Sequence, residues 1–205
     1  MHRITTRSAL ATALTLALGT AVTAAPITFE LAETGVVSGT GTAAATATAG
    51  TGADALTANF SVSSSNTIDI RSIDTNAGGL TVNGNMIDGS DALSLSFLDD
   101  GGFAVAVEIL SVEVSRLQGA SETAILTIDG ASTVIDWDPV EPKLEAFAPA
   151  LELDAGEAVV FTAGAGTTYR LHSITVEEVV IPEPSSLTLA GIGVAVMLTR
   201  RRKNG

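Results

Sequence analysis

The chain of 205 residues contains no cysteine. Disulfides, thiolate nucleophiles and cysteine-ligated metals are therefore closed to it, and its stability must come from a packed core or from bound ions. Aromatic residues are scarce, with one Trp, one Tyr and six Phe, so the core has to be built mostly from Val, Ile and Leu. Histidine is rarer still: apart from His2 there is only His172. Positive charge is almost missing from the middle of the chain. Between Pro26 and Ile181 stand Arg71, Arg116, Lys143 and Arg170 against 22 of the 23 Asp and Glu, a net charge of 4 − 22 = −18. Such a surface repels nucleic-acid phosphates and anionic headgroups, which argues against nucleic acid as a partner.

What is present is organised from the two ends inward. His2, Arg3 and Arg7 make a basic start, Ala9 to Leu18 is apolar apart from Thr12 and Thr15, and small residues follow at 21–25 before Pro26. Charge, then apolar helix, then small residues is the order signal peptidase reads, so residues 1–25 are expected to be an N-terminal signal helix that is removed on export.

The other end reads Ile181-Pro-Glu-Pro-Ser-Ser and then continues without a charge to Thr199, before Arg200-Arg201-Arg202-Lys203. The 15 residues Ser185 to Thr199 span only about 22 Å as a helix. A bilayer core is about 30 Å thick. The expected transmembrane helix at 185–199 is thus short, with the basic tail 200–203 holding its end in the cytoplasm. Pro182 and Pro184 lack backbone N–H groups and disfavour helix at the residues before them, so Pro182-Glu183-Pro184 should be an extended, accessible segment.

These three parts, in this order at 182–205, resemble the PEP-CTERM sorting signal of Gram-negative bacteria; the same segment also goes under the label of ice-binding protein C-terminal domain, which names the signal and implies no ice binding. The resemblance implies that exosortase, a membrane transpeptidase-like enzyme, processes the chain, with Pro182, Glu183 and Pro184 as recognition element and Arg200, Arg201 and Arg202 as the basic end of the signal. It also implies export to the cell surface or the exopolysaccharide of a biofilm matrix, after anchoring by the C-terminal helix.

Residues 26–181 alternate short β-branched runs with turn punctuation. Leu93-Ser-Leu-Ser-Phe97 alternates cleanly, Phe103 to Val114 is a long β-branched run, and Glu122 to Ile128, Thr133 to Ile135, Ala158 to Phe161 and Tyr169 to Val176 continue the series. Asn83-Gly84, Asp88-Gly89, Asp129-Gly130 and Gly164-Ala-Gly166 are turn signals. The Gly/Thr/Ala-rich stretch 38–55 has no apolar period that could set a register and is expected to be a loop or weak edge strand. About ten such strands predict an all-β domain, an antiparallel β-sandwich with jelly-roll-like topology.

Motifs for catalysis are missing, so no enzyme is expected: there is no Gly-x-Ser-x-Gly and no His-Glu-x-x-His. Strand alternation places Arg170, His172 and Ile174 on one face, opposite Leu171 and Ser173. Paired carboxylates near turns are the stronger signal. Asp88 and Asp91, Asp99 and Asp100, and Asp136 and Asp138 offer oxygen ligands of the kind calcium takes, with a ligand set drawn from loops at one end of the sandwich. Trp137, between two of these acids, is the candidate platform for a sugar ring. The expected function is a structural or adhesive surface protein. A calcium-assisted carbohydrate-binding module is the alternative, and a polysaccharide hydrolase ranks third.

Overall fold

The computed structural model describes residues 24–179 except 33–35, 53–54, 72–77, 85, 118–120, 137–139 and 141. Fourteen strands, numbered in chain order, form two antiparallel sheets of seven. The first sheet runs β12 (Lys143–Leu153), β9 (Val107–Ser115), β14 (Thr168–Glu178), β6 (Gly79–Val82) and β5 (Ile68–Arg71). Two short strands, β1 (Ile27–Glu30) and β7 (Ile87–Asp88), also pair with β14. The second runs β11 (Ala131–Asp136), β10 (Thr123–Ile128), β13 (Val159–Ala163), β8 (Leu93–Leu98), β4 (Leu56–Ser61), β3 (Ala44–Ala49) and β2 (Val37–Ser38). These strands belong to one compact unit, Ala24–Val179. Among the described residues there is no α-helix, hence none long and apolar enough to cross a membrane. The expected signal and C-terminal helices lie outside the described residues.

Period-2 patterning explains the pairing. In β8 the residues Leu93, Leu95 and Phe97 are buried while the serines between them stay partly exposed. Phe29 of the first sheet meets Phe97 of the second with ring centroids 5.7 Å apart, tilted at 49°. Tyr169 is fully buried, and its hydroxyl donates across to the carbonyl of Thr162 at 3.1 Å. A phenol in that position would otherwise leave a buried polar group unpaired. Burial also pushes its acidity well below that of an ordinary tyrosine.

Two segments depart from expectation. The stretch Ala44–Ala49 is a regular strand, one in from the sheet edge: Ala45 and Ala47 are buried opposite Phe60 and Ala58, while Thr46 and Thr48 face out. Methyl groups carry the inward pattern there, which a search for large apolar residues passes over. The 11-residue β12 was also not foreseen; it includes the cis-Pro149 and a register shift between Ala146 and Leu151. Proline and charge read as loop, yet both are tolerated on an edge strand.

The faces of β14 are the third correction. The register jumps from Leu171↔Val114 to Ser173↔Glu113, so His172 is an extra residue in a β-bulge. Alternation changes phase there. Tyr169, Leu171, Ile174 and Val176 fill the core, and Ile174 lies on the face opposite Arg170. Gly79, at φ 145°, sits where a Cβ would come within 2.7 Å of the Leu171 carbonyl oxygen, so only glycine lets β6 approach β14.

Candidate functional site

Pairing across the second sheet defines an outer face whose composition differs from the rest of the domain. One row runs Ser38, Thr46, Asn59, Ser96. The next runs Ala44, Ser61, Ser94, Val160, Thr127, Ser132, across six strands. Thr48 and Thr57, whose hydroxyls are 3.1 Å apart, lead to Leu98, and Thr162 leads through Ile125 to Val134. Among the described strand residues of this face, Asp136 is the one charged side chain. The outer face of the first sheet, by contrast, carries Glu30, Glu108, Glu113, Arg170 and Glu177. In a segment of net charge −18, seven strands side by side with a single carboxylate among them form a surface that neutral polymers can approach with little electrostatic penalty.

The carboxylate pairs expected to share one end are split. Asp88 and Asp91 lie where β14 begins, because Asp88 pairs with Thr168. Asp136 ends β11 at that same end, opposite Thr123 of β10, whose neighbour Ala124 pairs with Ala163. Asp99 and Asp100 follow the far end of β8, six residues or about 20 Å away. There the Asp99 carboxylate accepts the Phe103 N–H at 2.8 Å and shapes its own loop. One cation cannot bridge ligands so far apart. Asp138 and Trp137 lie outside the described residues.

The Asp88–Asp91 turn borders a cavity of about 320 Å³ lined by Ser63, Ser65, Asn66, Asn83, Ser90 and the two carboxylates. Asp88 accepts the Ser90 N–H at 2.7 Å and its hydroxyl at 2.6 Å, which hold its carboxyl below the usual range. Asp91, 8% exposed, accepts Asn66 at 3.3 Å and the Asp88 N–H at 3.2 Å. Burial nevertheless pushes its carboxyl above the ordinary value. A raised carboxyl means the folded state holds its proton longer than the unfolded chain does. Its contribution to stability is full at low pH and is lost as pH rises through the folded value. Asp91→Asn should therefore gain on the wild type in thermal melts as pH rises from about 4 to about 7. A difference between the two that does not change with pH would contradict this reading. Among the described residues no three His, Asp or Glu side chains come together, so Asp88 and Asp91 remain a pair.

The bulge brings His172 and Ser173 to Glu113, a cluster that strand alternation in the sequence does not reveal. The His172 Nδ1–H donates to the Gly78 carbonyl at 3.2 Å, and its Nε2 stands 3.9 Å from Glu113 Oε2. The Ser173 hydroxyl donates to that same Oε2 at 3.0 Å. The serine faces the carboxylate and not the ring, so the serine–imidazole bond on which nucleophilic catalysis depends is not made.

Comparison with known proteins gives one match. Residues 180–203 match the family model of the PEP-CTERM protein-sorting motif. No curated protein and no solved structure matches the chain. The motif begins two residues after β14 ends at Glu178, so almost no linker separates the sandwich from its signal. The chain therefore carries a PEP-CTERM sorting signal, which marks it as an exported, cell-surface-directed substrate of exosortase.

Proposed function

We propose that this is a non-enzymatic adhesive or structural component of the cell surface, cut by signal peptidase, held by its C-terminal helix until exosortase acts, and bound to exopolysaccharide once released. The observation that carries the reading is the neutral, hydroxyl-rich outer face of the second sheet, in rows such as Ser38–Thr46–Asn59–Ser96. Hydroxyl and amide side chains exchange hydrogen bonds with sugar hydroxyls, and threonine methyls meet their C–H surfaces. A weak contact repeated along a polymer becomes strong through multivalency.

The cavity at Asp88 and Asp91 favours a second reading, in which calcium and a sugar bind there together. One experiment separates the two. The processed protein is passed over an insoluble neutral polysaccharide, with and without a calcium chelator. Thr46→Glu, which places a charge in the face, should reduce retention severalfold, whereas Asp88→Asn and the chelator should leave it unchanged. The reverse pattern would move binding to the cavity. Loss of retention in none of these conditions would remove both readings.

A further inference from the structure

An exposed strand edge offers unpaired N–H and C=O groups to any passing chain, and folds usually guard such edges. Among the described strands, β1 and β7 pair only with β14 and are four and two residues long, and three of the four strands that end the two main strand orders are guarded. β2 is only two residues long. β5 is covered at Ile68, which donates to the Thr42 carbonyl at 2.7 Å and accepts from Gly41 at 2.7 Å. β12 carries a register shift, Pro149, and the ion pair Lys143–Glu145 at 3.7 Å on residues whose strand partners are core valines.

β11 has none of these devices. Its six residues, Ala-Ser-Thr-Val-Ile-Asp, contain no proline, no lysine and no bulge, and they pair without a break with β10. The Asp129-Gly130 turn, with φ of 46° and 77°, closes that hairpin with the two left-handed residues a two-residue turn requires. Val134 is 51% exposed on the outer side. On the inner side, Ala131 and Thr133 line an open seam of about 430 Å³, closed across the sandwich by Pro149, Ala150 and Leu151 of β12.

We infer that β11 is a self-association edge, and that a second copy of this chain pairs with it antiparallel across a two-fold axis. Charge selects the occupant. Two bodies of −18 repel each other almost everywhere, and β11 brings only one carboxylate, Asp136 at its end, to a face otherwise uncharged, so that its own copy can meet it without opposing like charges. Residues opposite one another in an antiparallel pair share a face, which restricts the self-pairing registers. In one, Val134 meets its own counterpart, Thr133 meets Ile135, and Asp136 meets the Ser132 hydroxyl. Shifting the pairing so that Thr133 meets itself brings Asp136 against Gly130 and next to Asp129. The first register is favoured, and it joins two seven-stranded sheets into one. Such an interface is isologous and closes at a dimer.

This inference does not depend on polysaccharide binding. Because the chain has no cysteine, a single introduced thiol is the only one present. The processed protein carrying Val134→Cys, under mild oxidation, should form a disulfide-linked dimer in most molecules. Ser132→Cys should not, since its counterpart lies four residues along the strand, about 14 Å away and beyond disulfide reach. In sedimentation, Val134→Lys should raise the dimer dissociation constant by roughly tenfold or more with an unchanged melt. Added salt should strengthen the wild-type dimer by screening the two negative bodies. Equal cross-linking at both positions, a monomeric wild type, or a dimer indifferent to Val134→Lys would each overturn the proposal.

Discussion

Replacing Pro182, Glu183 and Pro184 together by alanine should leave the protein cell-associated and uncut, with release into the medium almost abolished. Proline cannot donate a backbone hydrogen bond, and the residue before it is held extended. Alanine is the best helix former, so the triple substitution removes both the recognition shape and the barrier to helix ahead of the apolar run. The domain ends close by. From Glu178 to Pro182 is four residues, at most about 14 Å of chain. Cutting at the motif therefore frees the sandwich with only a short stub. The intact mass of the surface or secreted protein is the measurement: wild type should end near Pro184, and the variant should run through Gly205. Normal release of the variant would mean that the match at 180–203 does not act as a sorting signal.

The second large effect lies in the core. Phe97→Ala should lower stability by about 3–5 kcal/mol, the cost of removing a buried aromatic and leaving a cavity. Phe97 is 1% exposed and packs between the sheets against Phe29. A domain of this size is typically stable by about 5–15 kcal/mol. There is no disulfide to hold the chain together while the core loosens. At roughly 2–4 °C per kcal/mol, the melting temperature should fall by about 6–20 °C. Phe103→Ala is the control: that ring is 73% exposed, and its loss should hardly move the melt. A small shift for Phe97→Ala would show that the two sheets are not packed through this pair.

Where local chemistry decides, the sequence was readable. The alternation Leu93-Ser-Leu-Ser-Phe97 became β8, and Asp129-Gly130 became the β10–β11 turn with both residues at positive φ. β3 was obscured because alanine and threonine differ little in hydropathy, and only the facing Phe60 and Ala58 show which of them is buried. β12 was obscured by Pro149 and by charges that suit an edge but not a central strand. The face of Ile174 was misassigned because the bulge at His172 depends on how β9 pairs with β14, and nothing in Arg170-Leu-His-Ser-Ile announces it.

By itself, the sequence determined the exported address and the all-β class. Both rest on short-range features: residues 180–203 are recognised as a contiguous string, and a period of two is a property of each strand alone. Only the tertiary structure decided that the pairs Asp88–Asp91 and Asp99–Asp100 sit at opposite ends, that the hydroxyls line up on one face with a single carboxylate, and that β11 is an edge with no proline, lysine or bulge. Those are facts of register and strand order between segments far apart in the chain, such as Ser38 beside Thr46 and Thr127 beside Val160. Packing of the whole core sets them, because a slip of one residue would turn every buried side chain toward water.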